Sequence, residues 1–275
     1  MRQMITARLQ RSWDLRAAGN FIGGGAGTGL VLASVLLGDG GLSLVAGLAL
    51  VGLGLAMVWL EIGKPWRALN VFFHPQTSWM TREGIVAGPL MAVGGGYWLL
   101  GHPALLVPLV VLAAGFLYCQ SRILRASRGI PAWKQAEIVP LIITSGLAEG
   151  AGLLALFAEP APAVLAWALA AGLAREGAWM LYRRGLVASG NASGALAIFG
   201  SGPAQAARMA QGLALALWLL ALAGLPVAPL AGLLAAGSGW GIKALLITRA
   251  AFTRGASVPY APVRGRGLPM ALGGR

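Results

Sequence analysis

The chain has 275 residues, of which 57% are hydrophobic and 11% charged, with a net charge of +13 and 42 glycines. An ordinary soluble domain carries about 25% charged residues, and the mean hydropathy here is +0.75. The composition excludes a soluble globular enzyme, a disordered tail and a disulfide scaffold, and predicts an all-α, polytopic integral membrane protein.

Eight apolar segments follow one another: residues 17–37, 42–60, 84–101, 103–121, 138–158, 161–181, 204–224 and 226–248. Each is long enough, at about 1.5 Å per residue, to cross a hydrocarbon core of about 30 Å. Helices are expected, because lipid offers no partner to unpaired backbone groups and the alternation of barrel strands is absent. The apolar run after the basic residues 1–16 exceeds the roughly 7–15 residues of a signal-peptide core, so it reads as an uncleaved first helix. Residues 1–250 therefore read as an eight-helix transmembrane domain and 251–275 as an extended basic tail with Pro259, Pro262 and Pro269.

The connections alternate between short and long. The short ones, such as Gly38-Asp39-Gly40-Gly41 and Gly101-His102-Pro103, carry no Lys or Arg. The long ones, 61–83, 122–137 and 182–203, together with both termini, gather all 21 basic residues at or near one face. The positive-inside rule assigns that face and both termini to the cytoplasm. Basic charge in such a chain sets orientation and gives no reason to expect nucleic acid.

Glycines repeat at four-residue spacing: Gly19, Gly23 and Gly27; Gly25 and Gly29; Gly84 and Gly88; Gly146 and Gly150. Small residues so spaced let helix backbones approach closely in lipid. The run Gly23–Gly29 does not match a dinucleotide fingerprint and has no strand before it.

The inventory restricts redox chemistry. Cys119 is the only cysteine, so this chain can hold no iron–sulfur cluster, which takes about four thiolates. His74 and His102 fall in loops on opposite faces, which excludes a bis-histidine haem, and no metal-binding set is present. There is no HExxH, P-loop or GxSxG motif. These absences favour a subunit over a stand-alone enzyme.

Ionisable groups inside a membrane are functional candidates because they are costly there. Glu149 lies about 14 Å and Arg175 about 21 Å from the outer ends of their helices, so the two are expected to pair. Such a pair either fixes packing or takes part in proton movement. Glu61 and Glu83 flank the first long loop, among Lys64, Trp66, Arg67, His74, Trp79 and Arg82. A carboxylate beside a cation and aromatic walls suits a quinone head group, whose two-electron chemistry needs two protons. Glu83 equally suits a helix N-terminus, and the tryptophans equally suit interfacial anchoring. Arg122, Arg125, Arg128 and Lys134 read as contacts to anionic lipid and as a dock for a cytoplasmic partner.

Residues 61–83 read Glu-Ile-Gly-Lys-Pro-Trp-Arg-Ala-Leu-Asn, then His-Pro-Gln-Thr-Ser-Trp-Met-Thr-Arg-Glu. This resembles the membrane-anchor subunits of the dimethyl sulfoxide reductase family, with their G-x-P-x-R-A segment and S-W-x-[ST]-R-E at the third helix. The matching residues are Gly63, Pro65, Arg67 and Ala68, then Ser78, Trp79, Thr81, Arg82 and Glu83. Residues 20–27 are similar to the first helix of the wider polysulfide-reductase membrane-subunit superfamily. Residues 122–150 and Pro259-Tyr-Ala-Pro-Val-Arg-Gly are similar to the anchors that accompany phenylacetyl-CoA:acceptor oxidoreductases.

The resemblance implies an eight-helix, haem-free anchor in a bacterial or archaeal cytoplasmic membrane, binding menaquinone or ubiquinone in anaerobic respiration. It implies electron exchange with a ferredoxin-like iron–sulfur subunit that serves a molybdopterin catalytic subunit on the cytoplasmic face. Glu83, Arg82 and Glu61 would form the quinone site, with Trp79 as a wall and Asn20, Arg67 and His74 contributing. One departure stands out: many family members carry histidine where this chain has Glu61. A secondary transporter and a purely structural anchor are the competing readings.

Overall fold

A computed structural model describes residues 3–5, 7–38, 40–61, 70, 72–157, 160–254 and 256–258, with 3–5, 61 and 256–258 described as backbone. Eight helices of 17 residues or more occupy the eight apolar segments. They are α1 (Leu15–Leu37), α2 (Leu42–Glu61), α3 (Trp79–Leu100), α4 (Leu106–Ala126), α6 (Ile138–Leu154), α7 (Pro162–Ser189), α9 (Gly202–Leu222) and α10 (Ala228–Thr248). Two short helices, α5 (Pro131–Lys134) and α8 (Ser193–Phe199), lie within connections read from the sequence as loops.

Among the described residues, five stretches are both long and apolar enough to cross a membrane: Leu15–Leu37, Leu42–Leu60, Pro103–Ala126, Gly202–Leu222 and Ala228–Thr248. Large apolar side chains face outward on many helices, among them Leu53, Val111, Leu173, Leu219 and Leu233. Water would not tolerate so much exposed apolar surface, whereas lipid favours it. The chain is thus a helical, multi-pass membrane protein.

Local chemistry sets the helix ends. Ser78 caps α3, its hydroxyl accepting from the Thr81 N–H at 3.2 Å. Gly101, with φ of 60°, closes the same helix in the left-handed conformation that glycine adopts without strain. Pro89 stands inside α3 and removes one rung of its hydrogen-bond ladder.

Helix α1 is the hub, packing against α2, α6, α4 and α10. Its glycines explain this. A Cβ on Gly23 or Gly27 would strike the backbone of α2, and one on Gly29 would strike that of α6 at Gly146. These repeats do bring backbones together, as their spacing predicts. The Gly84/Gly88 repeat does not: Gly88 has nothing within 4 Å of where its Cβ would stand. Helix α2, drawn onto α1, touches α3 only lightly, and a cleft remains between them.

The end of the bundle that carries the N-terminal segment is sealed by aromatic rings. Trp13 packs on Trp133 with centroids 4.8 Å apart. Trp133 Nε1 donates to the Leu246 carbonyl at 3.0 Å, and the Tyr182 hydroxyl donates to that of Ala132 at 2.9 Å. Strand β1 (Gln3–Ile5) pairs antiparallel with β2 (Ala256–Val258). The start of the tail, read from the sequence as extended, therefore pairs with the chain's own N-terminal segment. Residues 259–275 lie outside the described residues.

Candidate functional site

The cleft between α2 and α3 has a volume of about 420 Å³. That lies within the roughly 300–1,000 Å³ of small-ligand pockets. Its walls are apolar, formed by Leu55, Val58, Trp59, Met80, Ala87 and Met91. Gly52, Gly84 and Gly88 widen it by presenting no side chain. Among the described residues one ionisable group lines it, Glu83, which is 3% exposed.

Glu83 is held from behind. Gln120 of α4 reaches it, with Nε2 3.5 Å from Glu83 Oε1 and 3.0 Å from the Asn20 carbonyl oxygen. The Asn20 side chain, from α1, is the other hydrogen-bonding neighbour of this carboxyl. Asn20 Oδ1 and Gln120 Oε1 are buried acceptors without a partner. Asn20 also lines a cavity of about 30 Å³ that shares Val58 and Met80 with the large cleft. Asn20 and Glu83 were expected to cooperate and do lie together. Gln120 went unsuspected, because an isolated amide in an apolar helix carries no motif.

The other expected members are placed differently. Arg82 and Trp79 are not among the cleft's lining residues. Arg82 donates to the carbonyls of Pro75 and Gln76 at 2.7 and 2.9 Å and stacks on Trp79 at 4.1 Å from its centroid. Arg122 lies 4.4 Å from the same centroid and donates to the Tyr118 hydroxyl. Trp79 thus anchors two guanidinium groups, and the aromatic residues lining the cleft are Trp59 and Phe72. His74 is exposed. Arg67 and the side chain of Glu61 lie outside the described residues. His74 and His102 flank opposite ends of α3, separated by about 33 Å of helix.

The expected pairing of Glu149 with Arg175 is corrected. Lys243 Nζ donates to Glu149 Oε2 at 2.8 Å and to the Phe21 carbonyl at 3.2 Å. Arg175 donates instead to the Ala235 carbonyl at 2.8 Å and to Ser238 Oγ at 2.6 Å. The physical reason is reach. α10 lies beside α6, and Lys243 extends into a space left by the missing side chain of Gly25 on α1. Lys243 and Arg175 are therefore enclosed in the bundle, not gathered with the other cations at its end.

The two polar groups meet on α1. A Cβ on Gly24 would strike the Gln120 amide, and one on Gly25 would strike Lys243 Nζ and come within 3.2 Å of Gln120 Oε1. Two buried polar pairs, Glu83 with Gln120 and Lys243 with Glu149, thus come close at Gly25, with no hydrogen bond joining Gln120 to Lys243. Beyond them, Arg175, Ser238 and Gln211 line a cavity of about 20 Å³, room for a single water, beside the paired Glu176 and Arg208.

The four cations read as a partner dock divide. Arg122 is committed to Trp79 and Tyr118, Arg125 is exposed, and Arg128 and Lys134 border a separate concavity. Among the described residues, no group of three or more His, Cys, Asp or Glu is placed to hold a metal ion. Comparison with protein-family models and with curated proteins returns no match to this chain.

Proposed function

We propose that this chain is the quinone-binding membrane anchor of an oxidoreductase complex, crossing a bacterial or archaeal cytoplasmic membrane eight times with both termini in the cytoplasm. In this reading a ferredoxin-like iron–sulfur subunit docks on the basic face and exchanges electrons between a molybdopterin subunit and the menaquinone or ubiquinone pool. The observation that carries the reading is the apolar cleft between α2 and α3 with one buried carboxyl in its wall.

The cleft's residues fit such a molecule. Its volume and apolar lining suit a ring with an isoprenoid tail arriving from lipid. Behind the cleft wall, Asn20 and Gln120 flank the Glu83 carboxyl, and their side-chain oxygens are buried acceptors without a partner. A bound quinone supplies two-electron, two-proton redox chemistry. The chain's part is to seat the ring and to hold or deliver a proton at the Glu83 carboxyl. Gln120 orients that carboxyl, while Trp59 and Met80 keep water from it.

Glu83→Gln in the assembled complex tests this. Quinone-linked turnover should fall on the order of 10²-fold, the loss typical for a general acid–base group, while activity with an artificial dye at the partner's metal centres persists. Unchanged quinone-linked turnover would defeat the proposal. The buried Glu149–Lys243–Arg175 group favours one rival, a secondary transporter, since buried charges mark transport routes. A transporter would purify from its native membrane alone, and an anchor with its partners.

A further inference from the structure

We propose that the concavity bounded by the α4–α5 turn, the end of α7 and Arg254 binds a phosphate-bearing anion. Its volume is about 250 Å³, and its lining includes Arg128, Lys134 and Arg254 together with the polar side chains of Gln135, Ser189 and Asn191. No acid is among the lining residues. The acid nearest in sequence, Glu137, sits against Gly185 of α7, where the side chain of the lining residue Gln135 also lies.

Three sequence-distant segments converge to form this site. The Arg254 N–H donates to the Gly129 carbonyl at 3.1 Å, fixing the tail across the α4–α5 turn. The turn is itself pinned, through Trp133 to the Leu246 carbonyl and through Tyr182 to the Ala132 carbonyl. The backbone that presents the cations is thus tied to the rest of the fold by hydrogen bonds, which lowers the ordering cost of binding. The guanidinium groups of Arg128 and Arg254 enter no salt bridge among the described residues, and neither does the Lys134 ammonium.

Cation number and shape select the ligand. Like charges held around one concavity repel, and an anion between them relieves this. A phosphoryl group offers several oxygens in tetrahedral array, so it can accept from three cations at once and bidentately from arginine. A planar carboxylate, with two oxygens, satisfies fewer. The volume lies below the roughly 300 Å³ at which larger ligand pockets begin, which suits a head group or a free phosphate and not a nucleotide. The site shares no lining residue with the α2–α3 cleft and does not depend on the quinone reading.

The test uses the full chain, purified in detergent and stripped of lipid. It is offered nanodiscs of phosphatidylglycerol or of phosphatidylcholine and, separately, inorganic phosphate, with retained lipid read by native mass spectrometry and phosphate by 31P line broadening. Arg128→Ala with Lys134→Ala removes two exposed cations of the lining, and Arg125→Ala, outside the pocket, is the control. The wild type and the control should retain the phosphate-bearing ligand, and the double variant should lose affinity about tenfold or more. Preferential retention of phosphatidylglycerol identifies a lipid head group as the source, and broadening by inorganic phosphate alone identifies the free ion. Equal retention in all three proteins, or binding only of an acidic peptide from a partner subunit, would overturn the proposal.

Discussion

Lys243 and Glu149 meet at 2.8 Å inside the bundle, joining α10 to α6 across a gap that Gly25 leaves on α1. Arg175 is enclosed nearby, its Nη1 and Glu149 Oε1 both facing Gly239 of α10. Removing one partner of a buried pair costs about 3–5 kcal/mol, because the other charge is left uncompensated. Glu149→Gln leaves two cations facing each other and should cost the upper part of that range. Lys243→Met leaves Glu149 with Arg175 still near and should cost less. Unfolding midpoints in detergent rank the two variants, and equal losses would show that Arg175 does not compensate.

The glycines of α3 and α6 predict opposite outcomes. Gly150 faces the backbone of α1 at Gly29, so Gly150→Ala forces the helices apart and lowers thermal stability. Gly88 faces the open cleft, so Gly88→Leu should leave stability unchanged or raise it, since leucine is the better helix former. The same leucine fills the cleft. Quinone-linked turnover should drop on the order of 10²-fold, as misplaced reactants commonly do, with dye-linked activity intact. A Gly88→Leu complex that turns over quinone normally would move the site elsewhere.

Trp79 holds two guanidinium groups. Replacing it with leucine removes both contacts, each worth about 0.5–1 kcal/mol at a partly exposed site. Trp79→Phe should recover part of the loss. The α3 entrance should become more susceptible to proteolysis in the leucine variant, since Arg82 also braces the Pro75 and Gln76 carbonyls.

Asp14 gives the chain an acid-sensitive helix start. Its carboxylate accepts from the Arg16 N–H at 2.7 Å and pairs with the Arg16 guanidinium at 2.8 Å. These contacts hold its pKa below the ordinary 3.8. Between the two values the unfolded chain binds the proton more readily than the folded one. The stabilisation is therefore present above the ordinary value and lost as pH falls through the depressed one. Asp14→Asn keeps a capping oxygen and should flatten that acid limb in a series of thermal scans.

The placement of the eight long helices was legible in the sequence because apolar length is a local property, while the short α5 and α8, lacking such length, were not. Membership of the Glu83 group was partly legible, through charge beside an apolar run. What each residue touches was not. Gln120 has no motif, and it matters because α4 brings it against Glu83 and because Gly24 leaves it room. One four-residue glycine repeat packs helices while another opens a cleft, since the role depends on what lies across from it. Glu149 took Lys243 for its partner, 94 residues away, because helix packing sets the reach between side chains. Composition and periodicity act along the chain and determined a helical membrane protein. The charge pairs, the cleft and the basic concavity are distances between helices, and only the tertiary structure decided them.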